Sequence, residues 1–333
     1  MPAHPIDRRL TQMADSQLRR ENKQLIDEVL LLRARSTVRA ALAASGELPR
    51  IARGVLGSDR REGTPVILAS DWHVEEEVLA GSTPTGNFYN LTVADTRIKR
   101  FFAGTKWLID FHRPNFQCRD VVLWLGGDLM NGYIHEEYQE TNALSPLETL
   151  RWLKFRLIAG IEFLLQDKKI AKLYVPCSYG NHGRTTKKAR RATGAENSYE
   201  WLLYCELADY FARNKRVQFQ VPEAGHQYIG VYDYDVHFHH GDEISYGGGV
   251  GGIMIPINKA VAQWDKVRLA DFDNFGHFHQ YLDVGKIAGN GSLIGYNAYA
   301  MSIKATPEPP QQSFYIIDSK RGKTCKCPIW VGE

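Results

Sequence analysis

The chain has 333 residues, 44% of them hydrophobic and 24% charged, which is enough apolar content for one large α/β core with appendages. No stretch reaches the length of a membrane span and residues 1–9 lack an apolar signal-peptide core, so a cytoplasmic protein without a membrane partner is expected. A formal charge of +3 is too small to establish a nucleic-acid partner, and five scattered cysteines, an odd number, read as reduced thiols.

Near the start, Leu18, Asn22, Leu25, Val29 and Leu32 recur at spacings of four and three, the a/d seam of a coiled coil, with Asn22 as a register-fixing polar position. The pattern fits a homodimer seam and an amphipathic helix packed on its own domain equally well. Residues 45–63 form a connector without clear period. Residues 1–62 are therefore expected to be a helical appendage with its linker, and residues 63–333 a single folded domain.

From residue 65 onward, strands and helices alternate. The apolar runs 66–70, 121–125 and 173–177 are short and continuous, as suits strands covered on both faces. Helical periodicity occupies 93–111, 146–165 and 200–211. Beyond residue 216 the texture becomes alternating and aromatic-rich, with strands expected at 217–221, 227–231, 235–240, 292–299 and 313–317. Strand–helix alternation followed by consecutive strands predicts two sheets packed face to face with helices outside.

Five short motifs punctuate this order: Asp71-Trp72-His73, Gly127-Asp128, Gly180-Asn181-His182, His240-Gly241 and Gly276-His277-Phe278-His279. Four of them end an apolar run, where open α/β sheets place their sites. Together they offer enough Asp, Asn and His to hold two divalent cations around one shared carboxylate. Asp71 and His73 can face one cation if the chain turns after its strand, and the two oxygens of Asp128 can each take one. Period-two alternation sends His240 to the buried face with Val236 and Phe238, and leaves His237 and His239 on the other, exposed or satisfied by hydrogen bonds. His277 and His279 are expected to point the same way from one strand. The run Gly247 to Gly252 lacks the ending of a phosphate-binding loop and reads as a flexible segment beside His240.

The motif set resembles that of the calcineurin-like metallophosphoesterase superfamily, from about residue 65 to residue 291. The resemblance implies a four-layer αββα sandwich of two mixed β-sheets flanked by helices, here with the N-terminal helical appendage. Carried over by motif, Asp71, His73, Asp128 and His279 would hold one metal, and Asp128, Asn181, His240 and His277 the second. The metals would be two divalent transition ions, manganese ahead of zinc, iron or nickel, and the nucleophile a metal-activated hydroxide. His182 would face the scissile phosphate as general acid or positive group. The family often has an acidic residue after this His; Gly183 and Arg184 follow here, so the group that orients His182 must come from elsewhere.

Asp128 is followed by Leu129-Met130-Asn131-Gly132 rather than the Asp-Arg-Gly of protein phosphatases. The spacing, residues 87–90 and the basic segment 97–100 look more like the phage and prophage branch, distantly similar to DNA-repair nucleases, which would put the protein in a host cytoplasm. Arg184, Lys187, Lys188, Arg190 and Arg191 crowd behind the Asn-His motif, where they would neutralise phosphates flanking a cleaved bond. His135 is a further substrate-binding candidate. The expected function is phosphodiester hydrolysis of nucleic acid, DNA ahead of RNA. The alternatives are a phosphomonoesterase or small- or cyclic-nucleotide phosphodiesterase, and a non-catalytic assembly protein working through its N-terminal helix.

Overall fold

The computed structural model describes Lys23 and residues 49–54, 61–246 and 252–332. The expected heptad seam at 18–32, most of the connector, and glycines 247–251 lie outside the described residues.

One sheet is built on β2 (Arg61–Ala69), β4 (Asp120–Leu125), β5 (Lys172–Pro176) and β6 (Val217–Gln220), all parallel. It is extended on the β2 side by β12 (Gln311–Asp318) and β13 (Gly322–Trp330), both antiparallel, giving the order β13-β12-β2-β4-β5-β6. The short β3 (Phe116–Gln117) pairs with the start of β2. The second sheet contains β1 (Arg50–Ile51), β7 (His226–Val231), β8 (Tyr234–His239) and β9 (Phe272–Phe275). It closes with β11 (Ile287–Gly289) and β10 (Leu282–Val284), in the order β1-β7-β8-β9-β11-β10. Six helices accompany them among the described residues: α1 (Leu91–His112), α2 (Tyr138–Thr141), α3 (Pro146–Leu165), α4 (Tyr199–Phe211), α5 (Met254–Trp264) and α6 (Ala298–Ser302).

Alternation along the first sheet divides its side chains between two cores. Val66 and Leu68 of β2, Val122 and Trp124 of β4, and Tyr315 and Ile317 of β12 meet Ile229, Val231, Val236 and Phe238 of the second sheet. Ile67, Ala69, Val121, Leu123 and Leu125 point the opposite way, into the layer formed by α1, α3 and α4. On the far side, Ile257 and Val261 of α5 cover Phe275 and Ile287 of the second sheet. The architecture is therefore the four-layer αββα sandwich. Local signals start the helices: Asn90 accepts the Val93 N–H at α1, and Ser145 with Glu148 forms a capping box at α3, with Pro146 in the first turn. Among the described residues no helix is long and apolar enough to cross a membrane.

Three expectations are corrected. Residues 292–299 are not a strand: Leu293 and Ile294 are both buried, which breaks period two, and the chain turns at Gly295 (φ +82°) before Asn297 caps α6. Of the alternatives for His237 and His239, exposure fails, because α5 covers that face and the Trp264 ring lies 5.8 and 4.6 Å from theirs, while His237 is satisfied by hydrogen bonds to Asp273 and His226 at 2.8 Å each. His277 and His279 follow β9 in a turn rather than occupying a strand.

Candidate metal centre

All five motifs converge at one edge of the sandwich. Asp71 and His73 follow β2, Asp128 follows β4, Asn181 and His182 follow β5, His240 follows β8, and His277 and His279 follow β9. After β2, β4, β8 and β9 the chain turns within a few residues into left-handed backbone. Eight non-glycine residues among those described have positive φ, and five of them are Asp71, His73, Asp128, His277 and His279. Such conformations are uncommon for residues with a Cβ, and their concentration here marks a constrained site. The loops also press together. A Cβ on Gly180 would stand 2.1 Å from Asp128 Oδ1, so only glycine lets the loop after β5 approach that carboxylate.

Asp71, His73 and His279 bring their donor atoms within 4.8 Å of one another, as do Asp128, His240 and His277. A third grouping within the same limit, His73, Asp128 and His182, joins the two. In the first cluster Nε2 of His73 lies 3.2 Å from Nε2 of His279, which is 3.6 Å from Asp71 Oδ1. The Nδ1 of His73 is 3.2 Å from Asn131 Oδ1, an acceptor, so the ring proton belongs on Nδ1 and Nε2 carries a lone pair. The same logic fixes His240, whose Nδ1–H donates to the Gly126 carbonyl at 2.8 Å. Its Nε2 then faces Asp128 Oδ2 at 2.9 Å and Asn181 Oδ1 at 3.2 Å. Three lone pairs meeting at these distances require a cation between them, either a proton or a metal ion. The donor set thus fits two divalent ions sharing Asp128.

Burial supplies the electrostatics. It pushes the Asp71 carboxyl up to about 7, lowers His73, and holds His279 well below its ordinary value. His277 is lowered to about 4 and His182 to about 3 for the same reason. These rings are neutral near pH 7, the form that ligates. Burial also opposes charge on His240 and Asp128, yet each stabilises the other: His240 is raised to about 10 and Asp128 held well below the carboxylate range. A metal ion at this point must displace the His240 proton.

Several residues that complete the site carry no motif. Asn131, fully buried, holds His73 through its side chain and accepts the Nδ1–H of His182 on its backbone carbonyl at 3.1 Å. It supplies the orienting acceptor that is missing after His182. Its only sequence signal is a place three residues beyond Asp128. Buried Glu200 accepts backbone N–H groups from Leu129 and Gly180 at 2.7 Å each, tying the β4 and β5 loops together. Ser70 and the backbone N–H of His277 both donate to Asp71. Tyr138 stands 5.7 Å from the His182 ring, and Tyr299 5.2 Å from that of His279.

The expected substrate residues fare unevenly. Arg184 is turned inward, its three nitrogens donating to the carbonyls of Asn181, Thr186 and Lys187. Arg191 pairs with Asp242 and Glu243. Lys187, Lys188 and Arg190 are exposed and form no ion pair among the described residues. His135 is exposed and reaches the site only through Tyr138, whose ring lies 5.2 Å away. Cys325 and Cys327 sit on β13 as free thiols, outside any metal-ligand group found among the described residues.

No protein-family model matches the chain, and no curated protein does. Solved structures similar to it include a conserved uncharacterized protein from Streptococcus pneumoniae, described as a predicted phosphoesterase: 12% identity, 77% of this chain and 84% of that one, TM-score 0.29. A single mutant of Vps29 from Entamoeba histolytica matches at 12% identity over 79% of this chain and 98% of that one, TM-score 0.30. The sulfate thiohydrolase SoxB from Thermus thermophilus matches at 10% identity over 84% of this chain and 58% of its own, TM-score 0.31.

Proposed function

We propose that the protein is a two-metal-dependent phosphoester hydrolase acting on phosphodiesters of nucleic acid. The convergence of buried Asp, Asn and His donors at two adjoining points that share Asp128 carries this reading. Asp71, His73, Asp128 and His279 would hold one ion, and Asp128, Asn181, His240 and His277 the other. Imidazoles mixed with carboxylate and amide oxygens suit borderline ions, manganese ahead of zinc, iron or nickel. When bound, the pair of ions supplies Lewis-acid polarisation of the phosphoryl group and activation of a water.

The chain's own residues do the rest. Asp128, fixed by the His182 N–H on Oδ1 at 2.8 Å, keeps both donor clusters in register. His182 has its Nδ1–H committed to Asn131, so Nε2 is the atom that exchanges a proton with the leaving oxygen. Burial makes the ring neutral at rest, and an anionic substrate beside it would draw the proton in. Lys187, Lys188 and Arg190 follow this motif on an exposed loop, which favours a polyanionic substrate, DNA ahead of RNA.

The test is the manganese-loaded protein assayed on single- and double-stranded DNA and RNA, cyclic dinucleotides and p-nitrophenyl phosphates. Polynucleotide cleavage abolished by chelator and restored by metal is expected. Turnover of p-nitrophenyl phosphate with polynucleotides untouched would instead favour a phosphomonoesterase. No turnover of any of them at full metal content would overturn the enzyme reading.

A further inference from the structure

Two tyrosines overhang the donor clusters from opposite elements. Tyr138 comes from α2, with its ring against His182, and its hydroxyl has no hydrogen-bond partner among the described residues. Tyr299 comes from α6; its hydroxyl lies 3.5 Å from His277 Nε2 and its ring packs on His279. Tyr299 is within electrostatic reach of Asp71, Asp128 and Tyr138 at once, and Tyr138 within reach of Asp128. The two phenols therefore border the space in front of both clusters. Both are half-buried, so part of each side chain is open to solvent beside the clusters.

What stands there in charge is equally telling. The charged or titratable groups that act most strongly on Asp71, Asp128 and His277 are histidines and carboxylates. Arg184 is the basic side chain that feels Asp128, and each of its nitrogens already holds a loop carbonyl. A phosphomonoester carries about −1.5 to −2 charges at neutral pH, a phosphodiester one. Beyond the two ions, which would neutralise either ester, a second charge is best matched by a further guanidinium or ammonium at the clusters; the loop cations Lys187, Lys188 and Arg190 stand exposed, and the tyrosines beside the clusters bring neutral O–H donors.

We infer that Tyr138 and Tyr299 are substrate-binding residues whose hydroxyls donate to the phosphoryl oxygens, and that the reacting phosphate they accept is the singly charged diester. The inference rests on the phosphodiester hydrolase reading above and names the side chains that would hold its singly charged phosphate. The experiment compares wild type, Tyr138→Phe, Tyr299→Phe and the double variant, each loaded with manganese. Bis(p-nitrophenyl) phosphate and p-nitrophenyl phosphate are the substrates, dimethyl phosphate and inorganic phosphate the calorimetric ligands, and elemental analysis monitors metal content. Wild type should prefer the diester by about tenfold or more in kcat/KM. Each Phe variant should retain its metal, lose about tenfold on the diester, and bind dimethyl phosphate more weakly, as expected for hydrogen bonds to a charged acceptor.

A wild type that favours the monoester would overturn the inference and turn the proposed function to a phosphomonoesterase, leaving only the two-metal hydrolase chemistry intact. Phe variants whose diester kcat/KM and dimethyl phosphate affinity match wild type at full metal content would overturn the inference alone. A metal-loaded wild type that hydrolyses neither compound nor any polynucleotide would bring down the hydrolase reading, and this inference with it.

Discussion

Nε2 of His73 and Nε2 of His279 face each other at 3.2 Å, both rings buried, with the His73 proton committed to Asn131 on the opposite side of the ring. The contact is held either by a proton on His279 Nε2, which leaves the buried His279 Nδ1 without a partner, or by a cation between the two rings. Metal should therefore stabilise the fold measurably. A ligand at about 100 times its dissociation constant adds roughly 2.7 kcal/mol. At about 2–4 °C per kcal/mol, the melting temperature of chelator-treated protein should rise by roughly 5–10 °C on adding manganese. Asp128→Asn should abolish most of that rise and essentially all turnover, since both clusters use this carboxylate. A flat melting temperature in wild type would refute the site.

Asn131→Ala should weaken metal binding and turnover by about 10–100-fold, the usual effect of removing a group that orients a ligating imidazole. Its side chain sets the His73 tautomer, whereas the His182 contact uses its backbone and survives the change. Chelator competition should therefore show the larger defect, and turnover at saturating manganese should largely recover. A loss of turnover that excess metal does not rescue would assign the Asn131 side chain to the reaction itself.

Glu76 offers a pH test read on stability rather than turnover. It is buried, accepts the Asn297 amide at 3.0 Å, and is pushed by burial from 4.5 up to about 7. A carboxyl whose folded pKa is raised binds its proton more tightly when folded, so its ionisation destabilises the fold as pH climbs. Glu76→Gln mimics the protonated form. It should match wild type near pH 4 and become progressively more stable between about pH 4.5 and 7, reaching a plateau of about 3 kcal/mol at 1.36 kcal/mol per unit. Urea titrations at several pH values read this difference; a constant offset would mean that Glu76 ionises normally.

Lys187, Lys188 and Arg190 are exposed and form no ion pair among the described residues, whereas Arg184 is held by loop carbonyls. Replacing the three by Ala should weaken polynucleotide binding and flatten its dependence on salt, each lost phosphate contact removing about 0.9 from the log–log slope for duplex DNA. Hydrolysis of bis(p-nitrophenyl) phosphate, which lacks flanking phosphates, should be unaffected. Arg191→Ala should do less, because its guanidinium is already held by Asp242 and Glu243. Equal losses on both substrates would place the loop at the reacting phosphate.

The strands leading to the site were legible because β2 and β4 are apolar on both faces and end at a motif, whereas the division of the ligands into two sets came only from the family resemblance. β9 was not legible. Its Asp273 and Asn274 look like loop residues, yet both are buried, where His237 and Tyr315 satisfy them. Asn131 and Glu200 escaped notice for a related reason. They act through hydrogen bonds to backbone or ring nitrogens, which leave no spacing pattern behind. The inward turn of Arg184 was equally hidden, since a charge run does not announce which of its members will bond to carbonyls.

The left-handed backbone at Asp71, His73, Asp128, His277 and His279 sets durability and turnover against each other. At such positions glycine relieves a strain of about 1–2 kcal/mol per residue. A library selected for heat tolerance, with no measurement of hydrolysis, should therefore drift towards glycine at these five codons and yield sturdier proteins that bind no metal. Selection for hydrolysis should hold the same codons fixed and let the population accumulate its stabilising changes elsewhere, in the helical layers.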